Sequence, residues 1–166
     1  ASDVYKRQLV FSDHAVTKGI EALRAGCDIV TDTQMAKAGI NKTILASLGG
    51  EVHCFMSDPD VAQEARSRGV TRAFVSMEKA AALEKPCIFA IGNAPTALLS
   101  LEQLMEEGKA APALIIGVPV GFVNVEISKE RIIEKARAPY IVARGRKGGS
   151  NVAAAICNAL LYQIRR

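Results

Sequence analysis

Short apolar runs alternate with helical stretches through most of this chain, and that alternation restricts the folds open to it. Residues 27–32, 51–56, 87–92, 113–118 and 140–144 each read as a strand with an apolar centre, and helical signals separate each from the next. Strand, helix, strand in succession is the βαβ unit, whose strands lie parallel. The runs Cys87-Ile88-Phe89-Ala90-Ile91-Gly92 and Ala113-Leu114-Ile115-Ile116-Gly117-Val118 suit strands buried on both faces. The expectation is one α/β domain with a mainly parallel sheet of about five strands and helices on both faces by right-handed crossovers. Aromatic residues make up only 5% and Trp is absent, so the core between these layers has to be aliphatic.

Capping residues and helix stops punctuate the pattern. Helices are expected over 12–25 (capped by Ser12 or Asp13, stopped by Gly26), over 36–48 with a break near Gly39, and from Ser57-Asp58-Pro59-Asp60 to Arg68. Residues 70–75 read as a short extended piece, and Ser76 as the cap of a helix over 77–83. Further helices are expected from Asn93-Ala94-Pro95-Thr96 to Glu107, from a Ser128 cap to Ala136, and over 150–164. Residues 1–8, Ala-Ser-Asp-Val-Tyr-Lys-Arg-Gln, follow neither period, and Asp3 to Gln8 is what one frame of a sequencing-library transposon adapter encodes. They are expected to be a non-native scar, with the domain proper at 9–166.

Several function classes are disfavoured. The net charge is +4, but the basic residues are interspersed with carboxylates, and stacking aromatics are few, so no nucleic-acid partner is expected. No apolar run approaches the ~20 residues of a membrane span, and no signal-peptide core is visible, so no membrane partner is expected. Cys27, Cys54, Cys87 and Cys157 form no CxxC pair and read as buried, reduced thiols of a cytoplasmic protein. His14 near the start of the first helix reads as a surface residue, and His53 within a strand as a satisfied sheet residue, so no metal site is expected.

Four segments follow strands at their carboxyl ends and are therefore placed to line one cleft. The first carries Asp32, Thr33 and Met35; the second Asn93, Pro95 and Thr96; the third Pro119, Gly121, Phe122 and Asn124; the fourth Arg144, Arg146, Lys147, Gly148, Ser150 and Asn151. The fourth is the most informative. Its glycines allow close backbone approach, the following helix offers free N–H groups to an anion, and arginine can grip carboxylates with two bonds. It reads as an anion site or, failing that, as a tight turn with solvated cations. Phe122 either faces a flat ligand or fills the core. Asn93 either binds a ligand or caps its helix. Asp32 is a base, a ligand-orienting acceptor or a helix cap. Gly145, Gly148 and Gly149 do not make a dinucleotide GxGxxG, and a GKS or GKT P-loop is missing.

In order and spacing, Val30–Lys42, Gly92–Ala97, Gly117–Asn124 and Arg144–Asn151 resemble the signature segments of the precorrin-8X methylmutases, cobalt-precorrin-8 methylmutases included. The resemblance spans Phe11 to Leu161. It implies a homodimer that binds a corrinoid between subunits and moves a methyl group from carbon 11 to carbon 12 of the ring, a formal 1,5-sigmatropic shift giving hydrogenobyrinic or cobyrinic acid. It implies no redox cofactor, methyl donor or catalytic metal. The family's presumed acid is a histidine in a segment upstream of the one matching Phe11–Leu23, and residues 1–8 occupy that region here. Neither His14 nor His53 matches it, so no catalytic residue is assigned and a chain that binds but isomerises poorly is expected. A non-catalytic corrinoid binder and a nucleotide-binding α/β enzyme are the competing readings.

Overall fold

The computed structural model describes residues 8–164. The expected scar falls on residues 1–8, of which 1–7 lie outside the described residues. The strands are β1 (Leu9–Phe11), β2 (Asp28–Thr31), β3 (Val52–His53), β4 (Cys87–Ile91), β5 (Leu114–Gly117) and β6 (Tyr140–Ala143). They form one sheet in the order β1-β6-β5-β4-β2-β3, with β2 to β6 parallel and β1 antiparallel to β6. The described sheet thus has six strands, one more than expected. Leu9-Val10-Phe11 is too short to show a period and is a strand only because it pairs with β6, Leu9 opposite Ala143 and Phe11 opposite Ile141.

The helices are α1 (Ala15–Arg24), α2 (Gln34–Gly39), α3 (Lys42–Ser47), α4 (Pro59–Arg68), α5 (Arg72–Ala81), α6 (Pro95–Glu106), α7 (Val125–Lys135) and α8 (Ser150–Ile164). Alternation of side chains along each strand sends its residues to two separate apolar layers. Ile29, Ile88, Ala90, Leu114, Ile116, Ile141 and Ala143 pack with α1, α3 and α8 on one face, where α2 lies against α8. Val30, Phe89, Ile91, Ile115 and Val142 pack with α5, α6 and α7 on the other. Helices on both faces are therefore found as expected. Ile29, Ile88, Leu98, Leu101, Leu114 and Ile115 are fully buried. Each such side chain stabilises the fold by about 1.5–3 kcal/mol relative to exposure.

Several element boundaries differ from expectation. The first helix begins at Ala15, because Ser12 instead pairs with Tyr140 at the amino end of β6, its N–H donating to the Tyr140 carbonyl and its hydroxyl accepting from the Tyr140 N–H. Residues 70–75 are not extended: α5 starts at Arg72, where the Thr71 hydroxyl accepts from the Phe74 N–H at 3.1 Å. Ser76 is then a buried mid-helix residue, not a cap. Ser128 likewise lies inside α7, its hydroxyl donating to the Val125 carbonyl at 2.8 Å, and the helix begins after Asn124. The strand read over 51–56 contracts to Val52–His53, since β3 is an edge strand with one partner.

Candidate active site at the carboxyl edge of the sheet

From β2 the chain steps outward to β3, then returns to the far side of β2 for β4, so the strand order reverses between β2 and β4. In open α/β sheets that crevice is where ligands sit. Asp32 occupies its floor at 2% exposure. One carboxylate oxygen accepts from the Gly92 N–H at 2.8 Å, and the other from Asn93 at 2.9 Å and Ala94 at 2.6 Å. These are donors at the start of α6, whose N-cap residue Ala94 provides no side-chain cap. Burial pushes the Asp32 carboxyl up, while the three N–H donors favour its ionised form. Asp32 is thus the cap that Asn93 was read as one option to be, and Asn93 is left exposed at the cleft. The helix directly after β2 is capped by Thr33, whose hydroxyl accepts from the Ala36 N–H at 3.0 Å and bonds the Ser150 hydroxyl at 2.8 Å.

Backbone contact between loops holds the four segments together. The Val118 N–H donates to the Ile91 carbonyl at 2.8 Å, and the Gly149 N–H to the Val118 carbonyl at 2.9 Å. Two glycines make this possible. A Cβ on Gly92 would lie 2.8 Å from the Gly149 oxygen, and a Cβ on Gly148 would lie 2.1 Å from the Val118 oxygen. Any side chain at either position would force neighbouring loops apart.

Above this floor the surface is open, apolar and cationic. Phe122 is 81% exposed, Val123 79% and Met35 65%. Phe122 therefore does not fill the core; its ring lies under the Arg146 guanidinium at 5.5 Å. Pro119 is buried, Gly121 half-buried, and Asn124 exposed in the left-handed region at φ 62°. Pro95 and Thr96 are half-buried in the first turn of α6. Arg144 pairs with Glu130 at 3.1 Å and Arg146 with Glu126 at 3.6 Å, while Lys147 and Asn151 are exposed. Gly148 and Ser150 form the half-buried neck of the loop.

Sequence reasoning missed Lys129. It is fully buried, and its ammonium donates to the Gly145 carbonyl at 2.8 Å and the Lys147 carbonyl at 2.9 Å. Burial pulls its pKa down to about 8. Within Glu126-Ile127-Ser128-Lys129-Glu130-Arg131 it reads as one more solvated charge, and only the returning loop covers it.

Neither histidine reaches this edge. The His53 ring is tied by Nε2 to Asp28 at 2.9 Å, a carboxylate at the amino end of β2. His14 follows Ser12, which bonds Tyr140 at the amino end of β6. Among the described residues no group of three or more metal-ligating side chains occurs. A hollow of about 270 Å³ lined by Leu83, Lys85, Pro86, Cys87 and Ala111 also lies at the amino edge, away from the loops. Because β1 is antiparallel, its amino end lies at the site: the Gln8 carbonyl accepts from the Arg144 N–H at 3.0 Å.

Comparison with known proteins agrees with this geometry. A model of the precorrin-8X methylmutase family matches residues 1–163. A cobalt-precorrin-8 methylmutase of Priestia megaterium is 47% identical over 154 residues, covering 93% of this chain and 68% of the relative. A precorrin-8X methylmutase of Pseudomonas aeruginosa is 40% identical over 153 residues, covering 92% and 73%. The crystal structure of a precorrin-8x methyl mutase from Thermus thermophilus superimposes with a TM-score of 0.85 at 40% identity, over 95% of this chain and 76% of that one. With its family signature running almost end to end and its fold shared with a solved member, this chain belongs to the precorrin-8X methylmutase family.

Proposed function

We propose that the carboxyl edge of the sheet binds precorrin-8X or its cobalt form and serves the migration of a methyl group from carbon 11 to carbon 12 of the ring. The observation that carries this is the meeting of four strand-end loops as one surface, apolar at Met35, Phe122 and Val123 and cationic at Arg144, Arg146 and Lys147. A corrinoid is flat, apolar across its face and edged with carboxylates, and that surface matches both properties. Arginine pairs carboxylates with two bonds, so Arg144 and Arg146 exchange Glu130 and Glu126 for ligand carboxylates. Asp32 serves as scaffold and not as a ligand contact.

The reaction is an isomerisation: one carbon–carbon bond breaks and another forms, with no atom gained or lost. What a protein supplies is a fixed ring orientation and a proton placed on the ring and later withdrawn. No histidine of this chain stands at the edge to do so, and the family's acid belongs upstream of β1, whose amino end opens onto the site. A form without an acid at that position is expected to bind the ring and to turn over ~10²–10⁴ more slowly than one that has it. The exposed Phe122 and Val123 suit a second copy closing over the ligand as a homodimer.

Titration with hydrogenobyrinic acid, followed by visible absorbance, tests the reading. The chain is compared with a version carrying the upstream segment of a family member. Binding by both, with turnover by the extended form alone, is the expected result. Binding by the extended form alone would make that segment part of the pocket. Failure of both, with thermal stabilisation by a nucleotide instead, would overturn the assignment.

A further inference from the structure

Helix α7 turns one face toward the basic loop. Glu126, Lys129 and Glu130 are spaced at i, i+3 and i+4, which places them side by side on a helix. All three engage the loop between β6 and α8. Glu126 meets Arg146, Glu130 meets Arg144, and Lys129 reaches between them to the backbone at Gly145 and Lys147. The two carboxylates and their arginines are each more than half exposed, so those pairs are screened and weak. Lys129 differs, being fully buried and bonded to carbonyls rather than to a carboxylate. A buried ammonium without a paired anion is unfavourable unless it is hydrogen-bonded, and here that bonding falls on two carbonyls of one loop.

We propose that Lys129 is a positioning residue, holding the backbone of the 144–149 loop so that Arg144, Arg146 and the start of α8 converge on one polycarboxylate ligand. The proposal rests on the corrinoid reading of that site. Gly145, Gly148 and Gly149 make the loop pliable, and pliability lowers affinity unless something fixes the conformation before the ligand arrives. Lys129 does so from behind, buried away from the exposed arginines, while the exposed glutamates only pair with arginines that ligand carboxylates take over.

The test pairs loop cleavage with ligand binding. In the Lys129→Met chain, trypsin should cut after Arg144, Arg146 or Lys147 about tenfold faster or more, reflecting two lost bonds to a charged donor. Its affinity for hydrogenobyrinic acid should fall by about tenfold. Lys129→Arg, which keeps the charge and the donors, should recover most of both. The double variant Glu126→Gln, Glu130→Gln should keep its resistance to trypsin and bind the ligand no more weakly than the parent. Parent-like cleavage in Lys129→Met would overturn the proposal. So would equal losses in the Met and Arg variants with a lowered melting temperature, which would make Lys129 a packing residue. If the parent itself takes up no hydrogenobyrinic acid, the corrinoid reading falls, while the cleavage rates still decide whether Lys129 holds the loop.

Discussion

Replacing Asp32 with alanine separates two roles that a carboxylate at a strand end can play. In the structure its oxygens take the N–H groups of Gly92, Asn93 and Ala94 at 2.8, 2.9 and 2.6 Å. Gly92 is buried, so its N–H would be left without a partner, at about 1–3 kcal/mol. Asn93 is exposed and Ala94 half-buried, so water can replace those bonds, and losing the charged acceptor at the start of α6 costs about 1 kcal/mol more. Relief from burying a charge offsets part of this, as the upward push on the Asp32 carboxyl indicates. A net loss of about 2 kcal/mol is expected, which for a domain of this size lowers the melting temperature by roughly 4–8 °C. Asp32→Asn, which keeps the shape and one acceptor, should fall between. Thermal melts by circular dichroism and corrinoid titrations well below the melting point give the two readouts. A melting temperature within about 2 °C of the parent, combined with lost binding, would refute the structural role and make Asp32 a ligand contact.

Other outcomes follow from the same contacts. Gly148→Ala places a Cβ 2.1 Å from the Val118 oxygen and should destabilise by about 1–3 kcal/mol while weakening corrinoid binding; unchanged binding would show that the loop junction is looser than described. Burial raises the thiols of Cys27 and Cys157 to about 12 and of Cys87 to about 11, so an aromatic disulfide reagent at pH 8 should label none of these three until the chain is unfolded. Burial alone would raise the Asp28 carboxyl, but the bonds from His53, the Glu51 N–H and Lys85 outweigh it and hold it below its ordinary 3.8. A carboxyl lowered in the folded state contributes stability above its unfolded pKa and loses it as pH falls through the folded one. Melting temperature against pH should therefore drop less steeply below pH ~4 in Asp28→Asn than in the parent, and equal slopes would count against this network.

Much of this protein was legible in its residues. The strands around Ile29, Ile88, Ile115 and Ile141 announce themselves as apolar runs, because a strand buried on both faces has no polar side to show. That the four loop segments meet on one edge was also legible, since a parallel sheet puts every strand's carboxyl end on one edge whatever the order of strands. Their apolar and cationic character lies in single residues such as Phe122 and Arg144. The sequence could not show what depends on partners far along the chain. β1 exists through β6, some 130 residues away, and three residues carry no period of their own. Asp32 became a cap because the order of strands brought residue 92 beside it, and Thr33 met Ser150 for the same reason. Lys129 looks solvated in its helix and is buried only by the loop that returns over it. Local pattern records which face of an element avoids water; which polar groups then meet in the buried space is settled by how the elements are stacked.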